Sequence, residues 1–187
     1  GYDDAWIREA EKRGLLNLKT TPDCLPYLLK EKNIRLFTTH KVFSETELRS
    51  RYEIMQENYC KVLNIEALTM IDMARKDILP AVSAYSTSLA ETVLTKSEVG
   101  VDATYEKELA QTVSSLTASL YGKVKALEDA LIHVKDYSDS AELSMYYKDS
   151  VFAAMSALRA VADQLETLTS AEFWPYPSYG DLLFSVR

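Results

Sequence analysis

The sequence predicts an all-α fold: an up-down-up bundle of three long helices with two short N-terminal helices and an extended aromatic C-terminal tail. Glycine and proline are scarce, at five each among 187 residues, which suits long helices and disfavours a sheet with its many turns. Apolar residues recur every three or four positions over long stretches, as on one face of a helix. Short polar turns separate these stretches and predict antiparallel neighbours.

The composition predicts one domain. The chain is 47% hydrophobic, which is enough for a core that needs no disulfide or metal. Within a single domain over 1–187, we expect a short-helix appendage at 1–43, the long-helix bundle at 44–170 and the extended tail at 171–187.

The N-terminal segment predicts two short helices. The first covers 3–13, with acidic residues at its start and basic residues at its end, as the helix dipole favours. The second covers 22–33, where Thr21 is the N-cap and Pro22 the first helical residue. Residues 34–43 are expected to connect it to the bundle.

The longest helical pattern runs over residues 44–80. Ser44 and Glu47 have capping-box spacing at its start. Between residues 62 and 74 apolar side chains cover more than one face, which predicts that this segment lies at the centre of the bundle. Leu68 is therefore expected in the core, where truncation to alanine costs about 2–5 kcal/mol.

Two further long helices follow. Pro80 predicts a kink near 76–80, after which the first helix continues over 81–95. Asp102 is the expected cap of the next helix, whose apolar stripe ends at Val134. Gly122 lies off that stripe; it either permits close approach of a neighbour or only weakens the helix. Asp139 and Glu142 have capping-box-like spacing at the start of the last long helix, which ends near residue 168.

The tail differs from the rest of the chain. Residues 173–186, FWPYPSYGDLLFSV, include five aromatic residues and two prolines. Such a segment cannot leave all its rings in water, since a large exposed apolar patch is rarely tolerated. We expect it to lie along a groove of the bundle or of a neighbouring chain, with Trp174 as the anchor.

Charge and cysteine content exclude several classes of function. The net charge is −7, and residues 44–187 carry thirteen Lys or Arg against twenty-two Asp or Glu, so nucleic-acid binding is not expected. Cys24 and Cys60 are too few for a disulfide framework and indicate a reduced cytosolic interior. No apolar run is long enough to span a membrane, and no signal peptide is evident.

The sequence offers few groups for catalysis. His40 and His133 lack the Glu-x-x-His spacing of a di-iron bundle, and neither cysteine has a basic setting that would activate it. His133 lies one turn from Asp129, a pair common on solvated helix faces. Glu66 falls inside the segment expected to be most buried, so it is either a carboxylate with a raised pKa, an ion-pair partner, or a residue that faces water. We expect three methionines to fill the core rather than to hold a cofactor: Met55, Met70 and Met73.

Three blocks of the sequence resemble the C-terminal end of type III glutamine synthetases, the large bacterial form of the enzyme. They are EAEKRGLLNLKTTPDCLP (9–26), RYEIMQENYCKVLNIEALTMIDMARKDILPAV (51–82) and FWPYPSYGDLLFSV (173–186). The resemblance implies part of a cytoplasmic ligase that joins ammonia to glutamate with ATP and a divalent metal such as magnesium, and that assembles as large rings.

The resemblance also implies that the catalytic barrel lies upstream. None of its metal, nucleotide or glutamate motifs matches a position here, so no catalytic, cofactor-binding or metal-binding residue is assigned and the chain alone should not make glutamine. An architectural domain that packs on the catalytic domain or on neighbouring subunits is the first hypothesis. The alternatives are a free-standing helical interaction module and an independent bundle enzyme that uses Glu66.

Overall fold

The regular secondary structure of this chain is helical. A computed structural model describes residues 3–184 and contains no strand in that range, which confirms the all-α prediction. The up-down-up order of the long helices stays a prediction. The helices are α1 (Asp4–Lys12), α2 (Thr21–Leu28), α3 (Glu31–Thr39), α4 (Glu45–Met73), α5 (Leu79–Glu98), α6 (Thr104–Ile132), α7 (Ser140–Tyr146), α8 (Phe152–Leu168) and α9 (Tyr179–Leu183). π-Helical turns lie at Ala74–Ile78 and Tyr147–Val151, and a 3-10 turn at His133–Asp136.

The chain divides into two compact units. The first contains residues up to Val62 together with Asp136–Lys148, and the second contains Leu63–Lys135 together with the residues from Asp149 onward. The first unit thus holds α1, α2, α3, the first part of α4, and α7. The second holds the rest of α4 with α5, α6, α8 and α9.

The short helices of the first unit differ in part from expectation. α1 is confirmed, and the Asp3 carboxylate caps it by accepting a 3.0 Å hydrogen bond from the Trp6 amide. The single helix expected over 22–33 is wrong, because α2 ends at Leu28 and α3 covers most of the expected connector. The Asn33 side-chain amide donates to the Tyr27 carbonyl at 2.5 Å. This bond satisfies a terminal carbonyl of α2 and allows the helix to stop there.

Polar contacts join α2 to the chain beyond α7 within the first unit. The Asp23 carboxylate accepts hydrogen bonds from Lys148 Nζ at 2.8 Å and from the Thr20 hydroxyl at 2.6 Å. These two donors, Lys148 foremost, lower the pKa of Asp23. The Ser140 hydroxyl donates to Glu53 at 2.6 Å and so ties the start of α7 to α4.

α6 is the centre of the second unit. It packs against both α5 and α8, and it buries four stripe positions completely: Val113, Leu120, Val124 and Leu127. The prediction that segment 62–74 forms the centre is wrong. In that part of α4 one face is buried, through Leu63 and Ala67, whereas Leu68 on another face is 52% exposed.

The chain stays helical across the predicted kink. The interruption is the π-helical turn Ala74–Ile78, which lies slightly before the expected position, and α5 begins immediately afterwards at Leu79. Pro80 therefore falls in the first turn of α5, where a missing N–H is tolerated. The wider π turn absorbs the disruption that proline would otherwise cause in a continuous α-helix.

The caps of the later helices are partly as expected. α6 begins at Thr104, whose hydroxyl donates to the Asp102 carboxylate at 2.7 Å, so Asp102 lies outside the helix and is not its N-cap. At α7 the Asp139 carboxylate caps as predicted, since it accepts from the amides of Ala141 and Glu142. Gly122 has open space where a Cβ would stand, so no neighbour approaches closely there. Of the two alternatives, the one in which this glycine only weakens α6 is supported.

The prediction of a wholly extended tail is wrong. Residues 179–183 form α9, whose N-cap Ser178 and Asp181 make a reciprocal capping box. The two prolines precede this helix and do not interrupt it.

Candidate functional site

The first part of the tail docks on the helices of the second unit, as predicted. Two backbone amides, those of Phe173 and Trp174, donate to the Ser170 carbonyl at 2.9 and 3.0 Å and turn the chain after α8. The Phe173 ring then lies 5.3 Å from the ring of Tyr85 on α5, measured between centroids. The turn therefore directs the aromatic residues back onto their own bundle.

Trp174 lines a cavity of about 300 Å³, here named the tail cavity, on the side of α4 and α8. Its ring makes an edge contact with Tyr176, with centroids 6.2 Å apart. The apolar lining includes Met70, Met73, Ile78 and Leu158. Trp174 is therefore half-buried among apolar side chains, in the position expected for the anchor of the tail.

The π-helical turn at Ala74–Ile78 holds charged side chains that reach different partners. Arg75 donates to both oxygens of Glu128 on α6, with Nε–Oε1 at 2.7 Å and Nη2–Oε2 at 2.6 Å. Asp77 accepts a 2.8 Å hydrogen bond from the Tyr176 hydroxyl. Since a π turn rotates successive side chains differently from an α-helix, this one segment contacts both α6 and the tail.

An apolar face of α4 remains uncovered in the second unit. Ile65 is 64% exposed and Leu68 52%; these two residues are here named the outward α4 face. In the first unit the same helix also exposes Ile54, Met55 and Val62. Exposed apolar side chains clustered on one helix face mark interaction sites in soluble proteins.

A groove lies beside this face, between α4 and α8. It has a volume of about 460 Å³ and is lined by Ile65, Glu66, Thr69, Phe152, Met155 and Ser156. It also shares Met70 and Arg159 with the tail cavity, so the two depressions are neighbours. This α4–α8 groove is mainly apolar, and Phe152 at its edge is half-exposed.

The structure corrects two expectations about α4. Glu66 is exposed at the groove. The alternative in which it faces water is therefore confirmed, and the alternative in which it is a buried carboxylate is wrong. The expectation that the methionines fill the core is wrong for Met55, 45% exposed, and Met73. Met55 lies in the first unit, and Met73 borders the tail cavity with 37% of its surface exposed.

The candidate catalytic side chains do not form a site. His40 and His133 are exposed, the first in the first unit and the second in the second. Cys24 is exposed, whereas Cys60 is buried and burial raises the pKa of its thiol, which disfavours the reactive thiolate. Within residues 3–184 no three His, Cys, Asp or Glu side chains are grouped so that they could hold a metal ion.

Two features of this region escaped the sequence-based interpretation. The capping-box spacing of Ser178 and Asp181 was a usable signal for α9. No local signal identifies Asp77 as the partner of Tyr176, because the two residues are 99 positions apart.

No helix in the described part of the chain has the length and hydrophobicity needed to cross a membrane.

Comparisons with known proteins agree with the resemblance. A family model described as the glutamine synthetase C-terminal domain matches residues 1–97. A glutamine synthetase of Butyrivibrio fibrisolvens is 38% identical over 189 residues, which cover 100% of this chain and 27% of that protein. A type-3 glutamine synthetase of Dictyostelium discoideum is 34% identical, covering 98% of this chain and 26% of that protein.

A glutamine synthetase of Bacteroides fragilis is 28% identical over 99% of this chain and 26% of its own length. The chain thus spans about a quarter of the length of these relatives. Because the family model covers more than half of the chain, this chain belongs to the glutamine synthetase C-terminal domain family.

Proposed function

We propose that this chain is a non-catalytic C-terminal helical domain of a type III glutamine synthetase and that its role is architectural. In the complete enzyme, ATP and magnesium would support the ligation of ammonia to glutamate on the preceding polypeptide, in the bacterial cytoplasm. The partners of this domain would be that catalytic domain and neighbouring subunits of a homo-oligomer.

The outward α4 face carries this proposal. Ile65 and Leu68 lie in the C-terminal third of a 29-residue helix and are more than half exposed. Full burial of an exposed Ile or Leu side chain contributes roughly 1.5–3 kcal/mol, so the surface that these two still expose would contribute about half of that each on packing. A face of this kind on a domain that spans about a quarter of its relatives is best explained by packing against the rest of the assembly.

The distribution of polar groups supports a structural role. Arg75 pairs with Glu128 of α6, and Tyr176 of the tail donates to Asp77, so these polar groups join elements of the fold to each other. In the α4–α8 groove the Ser156 hydroxyl donates to the Phe152 carbonyl and Arg159 pairs with Asp163, so neither is hydrogen-bonded to Glu66 as a nucleophile would be to its base. Glu66, the remaining candidate for a bundle enzyme, is exposed to solvent and lacks a desolvated setting.

Intact mass in the source cell tests the proposal. A synthetase domain predicts a polypeptide several times heavier than 21.1 kDa, with glutamine formation from glutamate, ammonia and ATP. The isolated 187-residue chain should show no such activity under the same conditions. A native polypeptide of about 21 kDa would instead support a free-standing interaction module, and glutamine formation by the isolated chain would contradict the non-catalytic role.

A further inference from the structure

The tail cavity is formed jointly by the tail and by the helices on which the tail docks. Trp174 and Tyr176 supply one part of its lining, and α4, the π-helical turn at 74–78 and α8 supply the rest. All of these lining residues belong to the second unit. The volume of about 300 Å³ is at the lower end of the range for ligand pockets, so a ligand that fits the cavity must be small.

The lining of the cavity is mainly apolar, and it includes side chains that suit a bound molecule. Met70 and Met73 have unbranched, polarisable side chains that adapt to the shape of a ligand. Trp174 is half-buried at the cavity, and the face of an indole ring attracts a cation within about 6 Å of its centroid. The cavity therefore offers an apolar surface for an alkyl chain together with a ring that favours a positive charge.

The charges that line the cavity are negative on balance. The Arg159 guanidinium lies 3.4 Å from the Asp163 carboxylate, so these two charges compensate each other. Glu166 lines the same cavity, and no Lys, Arg or His among residues 3–184 pairs with it. Glu166 therefore supplies an uncompensated carboxylate at the edge of the cavity, where it is exposed to water.

The electrostatic field at Tyr176 has the same sign. Burial is the first cause of the raised pKa of Tyr176, followed by the hydrogen bond to Asp77, and the negative charges of Asp77 and Asp72 act in the same direction. A potential that opposes the loss of a proton from a phenol also favours a bound cation. Asp72 is paired with Lys76, whereas Asp77 has no ion-pair partner in the described part of the chain.

We propose that the tail cavity binds a small primary alkylammonium ion, with its alkyl chain against the methionines and its ammonium group beside Trp174 and Glu166. An ammonium group carries a full positive charge and donates three hydrogen bonds, so it complements an unpaired carboxylate and an aromatic ring together. The bound ion also bridges the tail and the helices and holds the tail docked. This site is independent of the proposed interface role, since neither Ile65 nor Leu68 lines the cavity.

Tryptophan fluorescence of the 187-residue chain tests this proposal. The chain has two tryptophans, so Trp6→Phe gives a parent chain in which Trp174 is the only reporter. Hexylammonium chloride is the probe at neutral pH, and hexanol and hexanoate are the neutral and anionic probes of the same chain length. Hexylammonium should change the Trp174 emission in a saturable manner and bind more tightly than hexanol, which should bind more tightly than hexanoate.

Three outcomes of this comparison would overturn the proposal. Equal dissociation constants for hexylammonium and hexanol would show that the cavity selects only for an apolar chain. Tightest binding of hexanoate would show that Arg159, and not Glu166, decides which charge is accepted. A Trp174 emission that hexylammonium does not change in a saturable manner would show that the cavity does not bind an alkylammonium ion.

A pair of charge variants of the parent chain tests the role of the carboxylate. Glu166→Gln removes the uncompensated charge and should weaken hexylammonium binding about twofold to fivefold, the effect expected of a solvent-exposed ion pair. The same change should leave the binding of hexanol unaltered. Glu172→Gln, at an exposed position outside the cavity lining, is the matched control and should bind like the parent chain. Equal weakening in both variants would contradict the proposal, because hexylammonium would then respond only to the net charge of the chain.

Ala162→Leu tests whether the ligand lies inside the cavity. The larger side chain occupies space in the lining and leaves the charges unchanged, so hexylammonium should bind about tenfold more weakly or worse, as in an overpacked site. Hydrogen exchange gives a second readout, because hexylammonium should slow the exchange of the Phe173 and Trp174 amides in the parent chain but not in Ala162→Leu. Unchanged binding to Ala162→Leu, with unchanged helix content by circular dichroism, would exclude this cavity as the site.

Discussion

The Tyr176 hydroxyl donates a 2.8 Å hydrogen bond to the Asp77 carboxylate and thereby ties the tail to the π-helical turn after α4. Burial, followed by the hydrogen bond to Asp77, raises the pKa of Tyr176 to about 12. The phenol therefore remains protonated at neutral pH and keeps its role as donor. Asp77 is itself exposed, so water can solvate the carboxylate when the phenol is absent.

Tyr176→Phe should destabilise the second unit by about 1 kcal/mol. The change removes one hydrogen bond to a charged acceptor and keeps the ring, and the solvent access of Asp77 limits the loss. Urea unfolding measures the difference. Tyr179→Phe is the control, because that side chain is 85% exposed, and it should leave the free energy of unfolding unchanged. Equal losses in both variants would show that the bond to Asp77 contributes nothing.

Trp174→Ala should lower the free energy of unfolding by about 2 kcal/mol. Truncation of a fully buried tryptophan costs about 3–5 kcal/mol, and Trp174 is only half-buried. The amides of the tail should also exchange faster with solvent, as hydrogen exchange can show. Trp6→Ala, at a 43% exposed position on α1, should cost under about 1 kcal/mol. If the tail amides already exchange like a disordered peptide in the wild type, Trp174 does not anchor the tail.

Leu68→Ala and Leu120→Ala form a matched pair that tests where the core lies. Leu68 is 52% exposed on the outward α4 face, whereas Leu120 on α6 is fully buried. Leu68→Ala should therefore lower the free energy of unfolding by less than about 1 kcal/mol, which is smaller than the sequence pattern predicts. Leu120→Ala should lower it by about 2–5 kcal/mol. Denaturant unfolding of both variants decides the matter. A loss for Leu68→Ala as large as that for Leu120→Ala would place α4 at the centre after all.

Gly122→Ala should stabilise α6 by about 1 kcal/mol, the difference in helix propensity between the two residues. A Cβ at this position meets open space, and its backbone is not in the left-handed region. Gly100→Ala is the informative contrast, because Gly100 also has open space but adopts φ +73°. That substitution should destabilise by about 1–2 kcal/mol. The midpoint of thermal unfolding should rise for Gly122→Ala and fall for Gly100→Ala. A lower midpoint for Gly122→Ala would contradict the open environment of this glycine.

Helix type and most helix positions were predictable from sequence because they depend on local signals. Asp139 caps α7 as its spacing from Glu142 indicates, and the acidic start predicted for the first helix supplies Asp3 as the N-cap of α1. The break between α2 and α3 was not predictable, since it depends on the Asn33 amide reaching the Tyr27 carbonyl. Pro80 indicated a disturbance, but its form as a π turn at 74–78 was not predicted.

The candidate interface shows the limit of the hydrophobic pattern most clearly. The apolar residues around Leu68 indicate burial, but the sequence does not say whether the covering surface belongs to the same chain. In the structure Leu63 and Ala67 are buried within the unit and Leu68 is not. The pattern therefore predicted one buried face of this segment correctly, and its assignment of Leu68 to the chain's own core was wrong.

The native mass of the complete synthetase polypeptide carrying Leu68→Asp tests the interface role most directly. A charge at Leu68 should disfavour burial of the outward α4 face. Because Leu68 is exposed in the isolated chain, the helix content of that chain should stay unchanged. Ser119→Asp, at an exposed position on α6, adds the same charge away from this face and serves as the control. Light scattering coupled to size exclusion should show a smaller assembly for Leu68→Asp and an unchanged one for Ser119→Asp. An unchanged assembly with unchanged glutamine formation in Leu68→Asp would contradict the interface role of this face.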